Sequence, residues 1–342
     1  MKKILALLLC LLLLPVSGLA EEQVLNILSW EGYVDADTLY NFEQETGIKV
    51  IWSPMDSIDS MLLKVAEGGG SEYDLILSSD YSLDILRQQG LLEKLDISKF
   101  SNYANLDESF LNQKYDPENE YVIPYVAGAT LIVYDPSRVS FEITGYEDLW
   151  NEELADSVAV LENARVICGM VLKTMGKSMN ETDPEVLTQM KEKMMPLYKN
   201  IRSFGDQESY VGITTGEAAV SYTFASFAHL ILQDHPEFKV VYPKEGLGFG
   251  IDGFVIPAGA KNVDNAHVFL DYLMRPEIAA HNAEYQGYMC VNKAAVPYLS
   301  EAFHNSPAMN IPAENLAAAE FVENVGALET TFQEIYTAFK NQ

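Results

Sequence analysis

The chain has 342 residues, 48% of them hydrophobic, and a formal charge of -28 from 50 acidic and 22 basic side chains. This length and apolar content suit a globular protein with more than one core. A chain this acidic repels nucleic acid and anionic lipid headgroups, which excludes both as partners, and attracts cations. The same acidity keeps an exported protein soluble, and attraction of a cationic ligand would be an additional role.

Residues 1–20 have the pattern of a signal peptide. Two lysines precede an apolar run at 4–14, and the small residues "SGLA" form a cleavage site after Ala20. The run is too short to span a bilayer. Cys10 is not preceded by the small residue that a lipidation site requires. We therefore expect export and cleavage after Ala20.

Strand and helix patterns alternate over the first part of the mature chain. The predicted strands are 24–29, 48–53 and 73–79, and the predicted helices are 36–47, 57–70 and 81–90. This order favours a parallel sheet with helices on both faces. Ligands bind such sheets beyond the carboxyl ends of the strands. The segments "WEGY" at 30–33 and "SDY" at 79–81 occupy two of these ends.

The alternation breaks once and then resumes, which predicts two lobes. Residues 121–136 are expected to cross from one lobe to the other, and strands within 238–260 are expected to return. Each predicted lobe is an α/β unit with a mainly parallel sheet flanked by helices, and two strands form a hinge. The predicted limits are 24–130 with 251–298 for lobe 1, and 131–250 with 299–342 for lobe 2.

Sequence patterns of enzymes and metal sites do not occur in the chain. The glycine-rich stretch "EGGGSEYD" lacks the ending of a phosphate loop, and no G-x-S-x-G or H-E-x-x-H motif is present. His229 and His235 are not spaced to share a helix face as metal ligands. We therefore expect no catalytic residue, no cofactor and no metal. For Cys168 and Cys290 we expect buried free thiols, with a single disulfide as the alternative.

Aromatic and acidic side chains coincide at the predicted strand ends. These side chains are Trp30, Glu31, Tyr33, Asp80, Tyr81 and Asp252. Core packing is the default for any one aromatic residue, but a carboxylate in a partly buried cleft is costly unless it meets a cation. Aromatic rings can add about 0.5–2 kcal/mol each by cation–π attraction. The combination is typical of a site for an organic amine.

An ordered series of short segments carries a family resemblance. The segments are "LSWEGYV", "FEQETGIKV", "YDLILSSDY", "LDESFLNQKYDPENEYVIPYVAGAT", "EDLW", "TTGEAAV", "YPKEG", "IPAGAKN", "YLMRPEIA" and "EYQGYMCVN". In this combination the chain resembles the periplasmic spermidine/putrescine-binding proteins of ABC transporters over essentially all of its mature length. The resemblance implies the type II periplasmic-binding-protein fold, in which two α/β lobes close on a ligand.

The resemblance also implies ligand contacts, which this chain keeps in part. An aromatic pair, a Ser-x-Tyr, an inner aspartate and a tyrosine are kept at Trp30, Tyr33, Ser79, Tyr81, Asp252 and Tyr288. The acidic pair of the family's second lobe is replaced by Asn163 and Val166. Phe224 and Gly250 stand in place of tryptophans, and Val322 in place of a glutamine. Asn163 is then expected to offer a neutral hydrogen bond, and Phe224 an aromatic wall.

Two acidic residues stand where relatives usually have uncharged hydroxyl residues. They are Glu31 and Asp80. If both point into the cleft, the number of carboxylates is roughly preserved, and the cationic ends of the ligand have shifted toward the first lobe. An unpaired buried ammonium costs several kcal/mol, which makes such compensation necessary for a polyamine. The alternative is that Glu31 and Asp80 face solvent and that the ligand is not a polyamine.

These observations predict the substrate-binding component of an ABC importer. It would capture a polyamine such as spermidine or putrescine, or a related small organic amine, and deliver it to the membrane permease subunits. We expect a monomer, held in the periplasm by an outer membrane because a lipid anchor is not predicted. The alternatives are a protein of the same fold that binds a non-polyamine ligand, a ligand-loaded sensor partner, and a secreted enzyme.

Overall fold

The computed structural model describes residues 23–342 except Gly69, and the predicted signal peptide lies outside the described residues. Helices cover a mixed sheet of 11 strands within this part of the chain. The strands are β1 Val24–Ser29, β2 Lys49–Pro54, β3 Leu75–Ser79, β4 Ile123–Tyr134, β5 Val158–Val160, β6 Ile201–Phe204, β7 Val220–Phe224, β8 Lys239–Val241, β9 Gly248–Val255, β10 Met289–Cys290 and β11 Glu320–Phe321. The first three strands agree with the predicted ones to within two residues.

Helices follow most of the strands. The α-helices are Ala36–Thr46, Ile58–Gly68, Asp80–Gln88, Ala164–Thr174, Pro184–Met194, Asp206–Thr214, Ala225–Asp234, Val263–Leu273, Pro276–Gln286, Glu301–His304, Ala313–Ala317 and Glu329–Lys340. Short 3-10 helices are Ile97–Lys99, Tyr103–Asn105, Glu108–Phe110, Tyr146–Trp150, Glu152–Leu154, Met195–Asn200, Lys293–Tyr298 and Gly326–Leu328. Gly47 and Gly287 end two of the α-helices in the left-handed conformation, which glycine adopts without a Cβ clash. Every helix in the described part of the chain is too short or too polar to cross a membrane.

The sheet has two halves that share one long strand. The strand order is β2-β1-β3-β9-β4-β7-β5-β6, with parallel pairing around β1 and around β5. Strand β4 pairs antiparallel with β9 from Ile123 to Ala129 and with β7 from Thr130 to Tyr134. β4 thus leaves the first half and continues as part of the second, as predicted for a crossing strand. This is the two-lobed α/β fold that the sequence predicted, although its exact lobe limits stay a prediction.

Each half of the sheet has its own hydrophobic core. In the first core Phe42 meets Phe269 edge to face, with ring centroids 4.9 Å apart, and both rings are fully buried. In the second core Tyr146 and Tyr222 meet in the same way at 5.4 Å. Edge-to-face aromatic pairs stabilise a fold beyond the apolar area that they bury. The two cores explain how a chain of this length folds around one continuous sheet.

The register brings the carboxyl ends of strands from both halves to the same stretch of β4. Ser79, the last residue of β3, lies opposite Asp252 of β9, and Asp252 lies opposite Val126 of β4. On the other side Phe224, the last residue of β7, lies opposite Thr130 of β4. The strand ends at which the sequence predicted ligand contacts therefore meet where the two halves join.

Cys168 and Cys290 are not bonded to each other. Cys168 is buried and Cys290 is half-buried, and both are free thiols. The expectation of free thiols is confirmed, and the alternative of a disulfide is wrong. Burial raises the pKa of the Cys168 thiol to about 12 and that of Cys290 to about 11, which keeps both thiols protonated and unreactive.

Candidate functional site

A carboxylate and a tyrosine form the centre of the candidate site. The Tyr33 hydroxyl, in the turn that follows β1, donates a short hydrogen bond to Asp252 Oδ2 in β9. Loss of hydration raises the pKa of Asp252 to about 6, and the Tyr33 hydrogen bond opposes that rise. The Tyr33 turn is held in place by Tyr125, whose hydroxyl donates to the Tyr33 carbonyl oxygen at 3.1 Å. Two of the predicted ligand residues are thus in direct contact.

Asp80 lies beside this pair and is deeply buried. It begins the helix Asp80–Gln88, and only 3% of its surface is exposed. Its Oδ2 accepts a hydrogen bond from the Ile251 backbone N–H at 3.1 Å, and its Oδ1 accepts one from the Tyr81 N–H at 2.7 Å. Burial raises the pKa of Asp80 to about 8, and the nearby charge of Asp252 adds to this rise. Asp80 therefore points inward, and the alternative that it faces solvent is wrong.

Glu31 does not join this group. It lies exposed in the turn after β1, and the prediction that it points inward is not supported by its position. The physical reason is local: the chain turns at Gly32, where φ is +68°, and directs Tyr33 rather than Glu31 toward β9. The neighbouring Trp30 is half-buried, and its carbonyl oxygen accepts a hydrogen bond from the Trp52 indole at 3.1 Å.

Two further tyrosines surround the acidic pair. Tyr288 is tilted against Tyr33 with ring centroids 6.4 Å apart. Its ring lies against Gly128 of β4, where an added Cβ would be only 2.7 Å from the ring, so the close approach depends on glycine. Burial and the charge of Asp252 raise the pKa of Tyr288 to about 12. Tyr115 is buried as well, and the charges of Asp80 and Asp252 help to raise its pKa.

The Ser-x-Tyr segment completes the first-lobe side. The Ser79 hydroxyl is buried and has no hydrogen-bond partner within the described residues. Tyr81 is half-buried, and loss of hydration raises its pKa strongly. Both residues border the Asp80 carboxylate, as the sequence predicted for this strand end. An unpartnered buried hydroxyl beside two acids is a group that a ligand can satisfy.

The second lobe provides fewer candidate ligand contacts than the sequence predicted. Asn163 caps the helix Ala164–Thr174, because its Oδ1 accepts a hydrogen bond from the Val166 N–H at 3.1 Å. The cap occupies part of the acceptor capacity of Oδ1, and the neutral hydrogen bond predicted from Asn163 to a ligand stays a prediction. Phe224 is half-buried at the end of β7, next to the second core. Its role as an aromatic wall stays a prediction.

Sequence reasoning missed two residues of this region. Tyr115 belongs to an irregular loop without hydrophobic periodicity, so no pattern placed it near the acids. Asp206 follows β6 and accepts a hydrogen bond from the Glu162 N–H at 2.8 Å. Its charge contributes to the raised pKa of Tyr288. The signal for Asp206 was available, since it begins a helix one residue after the end of a strand, much as Asp80 begins a helix directly after one.

The fold and the candidate site define a class of protein. Two α/β halves share a crossing strand, and a buried acidic and aromatic cluster lies at their junction. This is the arrangement of a two-lobed solute-binding protein, which binds a small molecule between its lobes. Comparisons with known proteins agree with this class. The chain belongs to the family of bacterial extracellular solute-binding proteins, whose family model matches residues 38–311.

Relatives with assigned names point to one branch of this family. The spermidine/putrescine-binding periplasmic protein of Escherichia coli is 34% identical over 321 residues, which cover 94% of this chain and 92% of the relative. The protein of the same name from Salmonella typhimurium is 33% identical over 322 residues, with the same shares covered. The predicted resemblance is confirmed. The predicted role as a transport binding protein is confirmed at the level of the family.

Solved structures agree with both the fold and the family. A spermidine/putrescine ABC transporter protein, PotD from Streptococcus pneumoniae, has a TM-score of 0.82 and 32% identity, covering 93% of this chain and 99% of that one. A putative spermidine/putrescine ABC transporter from Listeria monocytogenes has a TM-score of 0.86 at 32% identity, with the same shares covered. Both similarities extend over both lobes.

Proposed function

We propose that the chain captures a small organic amine between its two lobes and delivers it to the permease of an ABC importer. A polyamine such as spermidine or putrescine is the first candidate, since relatives of these names match nearly the whole chain. The observation that carries the proposal is the neighbouring acids Asp80, which is buried, and Asp252, which is half-buried and accepts a hydrogen bond from Tyr33.

The acidic pair lacks a cation of its own. Neither Asp80 nor Asp252 takes part in any ion pair within residues 23–342, Gly69 aside. Loss of hydration raises the pKa of both carboxyl groups, and the charge of Asp252 adds to the rise at Asp80. An ammonium group placed between them would restore both charges and satisfy them with charge-assisted hydrogen bonds. The electrostatics thus favour a cationic ligand.

The proposed binding site combines these acids with neighbouring rings and hydroxyls. It consists of Trp30, Tyr33, Ser79, Asp80, Tyr81, Phe224, Asp252 and Tyr288. Glu31 is left out because it is exposed, and Asn163 is left out because its Oδ1 caps the helix Ala164–Thr174. A ligand that contacts both lobes would favour the closed form. The first lobe is proposed to comprise residues 24–130 and 251–298. We further propose a monomeric, non-catalytic protein, exported after cleavage behind Ala20 to the periplasm.

A second candidate ligand class has one observation in its favour. The family's second-lobe acids are replaced by the helix cap Asn163 and by Val166, which is 7% exposed and belongs to the second core. Neither can hold a terminal ammonium as a carboxylate does. A small amine with a single charged end would not need that contact, so non-polyamine amines belong in the test.

Calorimetric titration of amine-free protein tests the proposal. Spermidine, putrescine and a panel of monoamines are titrated into the wild type, Asp252→Asn and the matched control Asp264→Asn, whose carboxylate pairs with Lys99 on the outer surface. We expect saturable amine binding, a loss of about 100-fold for Asp252→Asn and no change for the control. Unchanged affinity of Asp252→Asn would show that the site is misplaced. Conversion of the amine, followed by mass spectrometry, would contradict a purely binding role.

A further inference from the structure

The segment 320–324 is fixed to the second half of the protein by polar side chains. Asn180 meets it twice: its Nδ2 donates to the Phe321 carbonyl oxygen at 2.8 Å, and its Oδ1 accepts from the Glu323 N–H at 2.7 Å. Arg165, which is 6% exposed, donates to the Glu323 carbonyl oxygen at 3.0 Å and to Asn180 Oδ1 at 2.9 Å. The Arg165 guanidinium also lies over an aromatic ring of the second core. The segment therefore moves with the second half.

An ion pair joins this segment to the first half. The Lys114 ammonium contacts the Glu323 carboxylate at 2.6 Å. Lys114 lies in a loop whose shape is fixed, because the Asn112 N–H donates to Asn119 Oδ1 at 2.6 Å and the next residue, Tyr115, is buried in the first core. Every other ion pair between described residues lies within one half or the other.

Separation of the two halves would break this pair. The loop at 113–115 and the segment 319–324 line one cavity of about 450 Å³, and the ion pair joins these two walls. The Lys114 side chain is 85% exposed and that of Glu323 is 40% exposed. Ion pairs with this much exposure are weak, so the contact can break and form again.

We propose that Lys114 and Glu323 form a latch that holds the two halves in their closed arrangement. The inference rests on the proposed function, in which a ligand between the lobes favours the closed form, and it adds a device that acts without touching the ligand. Each partner is held by a different core, so the attraction between the two charges acts directly on the separation of the halves. The latch favours closure and slows ligand release.

The test measures the distance between the halves in amine-free protein. Spin labels on unnatural amino acids replace Tyr40 and Glu192, which are exposed on helices of the first and second halves, and electron–electron double resonance reports their separation. Lys114→Glu and Glu323→Lys each bring like charges together and should raise the ratio of open to closed forms about fivefold. The double variant exchanges the two charges and should recover the wild-type distribution.

A matched ion pair within the first half provides the control. Lys94 and Glu120 are exposed and lie 2.6 Å apart, and Lys94→Glu should leave the distance distribution unchanged. At 1 M NaCl, where the Debye length is about 3 Å, the single variants at Lys114 and Glu323 should differ from the wild type less than twofold. Unchanged distributions in both single variants at low salt, or a double variant that stays open, would overturn the latch.

The rate of ligand release separates the latch from the proposed function. In stopped-flow measurements, spermidine should leave Lys114→Glu about fivefold faster than the wild type. The added negative charge by itself would retain a cation, so faster release identifies loss of the latch, and equal or slower release would overturn it. Failure of the wild type to bind any amine would overturn the proposed function, while the distance measurement would still decide the latch.

Discussion

Asp80→Asn should remove a pH dependence from the stability of the unliganded protein. The pKa of Asp80 is about 8 in the folded chain, against an ordinary value of 3.8. Between these two values the folded chain keeps a proton that the unfolded chain has released. Stability therefore falls as the pH rises through this window. Asp252 and Asp84, which face Asp80, strengthen the effect because their negative charges favour its protonated form.

The size of the effect follows from the shift. Each pH unit within the window costs about 1.4 kcal/mol for one proton. From pH 5.5 to 7.5 the contribution of Asp80 falls by about 2.5 kcal/mol, which corresponds to a fall in Tm of about 5 °C for a chain of this size. Burial lowers the pKa of His229 and so acts in the opposite direction near pH 6. The difference between wild type and variant cancels this histidine and isolates Asp80.

Calorimetry of amine-free protein at pH 5.5, 6.5 and 7.5, at constant ionic strength, measures the effect. Asp80→Asn retains one acceptor oxygen for two backbone donors, so it should be less stable than the wild type at pH 5.5. The gap should narrow as the pH rises. Asp37→Asn, an exposed change in the helix Ala36–Thr46, controls for the loss of one formal charge. A variant that keeps the wild-type slope would refute the buried, protonated state of Asp80.

Two further substitutions test the packing around the cleft. Gly128→Ala would place a Cβ 2.7 Å from the Tyr288 ring and should weaken amine binding about tenfold by calorimetry, whereas Gly68→Ala, with open space around it, should not. Arg165→Met would remove a buried guanidinium that bonds the half-buried Glu329 carboxylate, the Glu323 carbonyl and Asn180, and should cost about 1–3 kcal/mol in urea unfolding. The exposed ion pair of Arg202 provides the matched control, where the same change should cost less than about 1 kcal/mol. Equal losses in either pair of variants would contradict the reasoning.

The parts of the fold that the sequence predicted are those that simple patterns determine. The three strands of the first lobe were predicted because continuous apolar runs between glycine-terminated helices are typical of buried parallel strands. The crossing of β4 was predicted from a break in that alternation at 121–136. The division of β4 between two partners at Ala129 and Thr130 was not, because strand pairing between distant segments leaves no local pattern.

The candidate site was predicted unevenly for a related reason. Asp80 and Asp252 were expected near each other, and the structure brings them together, but the prediction that Asp252 lies at a strand end is wrong because it lies inside β9. Side chains in turns and helix caps were predicted less well. Glu31 lies on the outside of a turn whose direction is set by Gly32. The side-chain oxygen of Asn163 caps a helix. An Asn that begins an apolar helical run is a common N-cap. That pattern was visible in "ENARV" and indicates the structural role.

Surface charge and buried charge have different roles in ligand capture. The formal charge of -28 attracts cations from a distance, but at physiological ionic strength it is screened beyond about 8 Å. In the proposed site, discrimination among cations would then come from Asp80 and Asp252, where screening is weak. At neutral pH without ligand, Asp80 keeps its proton, whereas Asp252 is mostly ionised. An amine in the proposed site would therefore compete with a proton at Asp80 and meet a carboxylate that is already charged at Asp252.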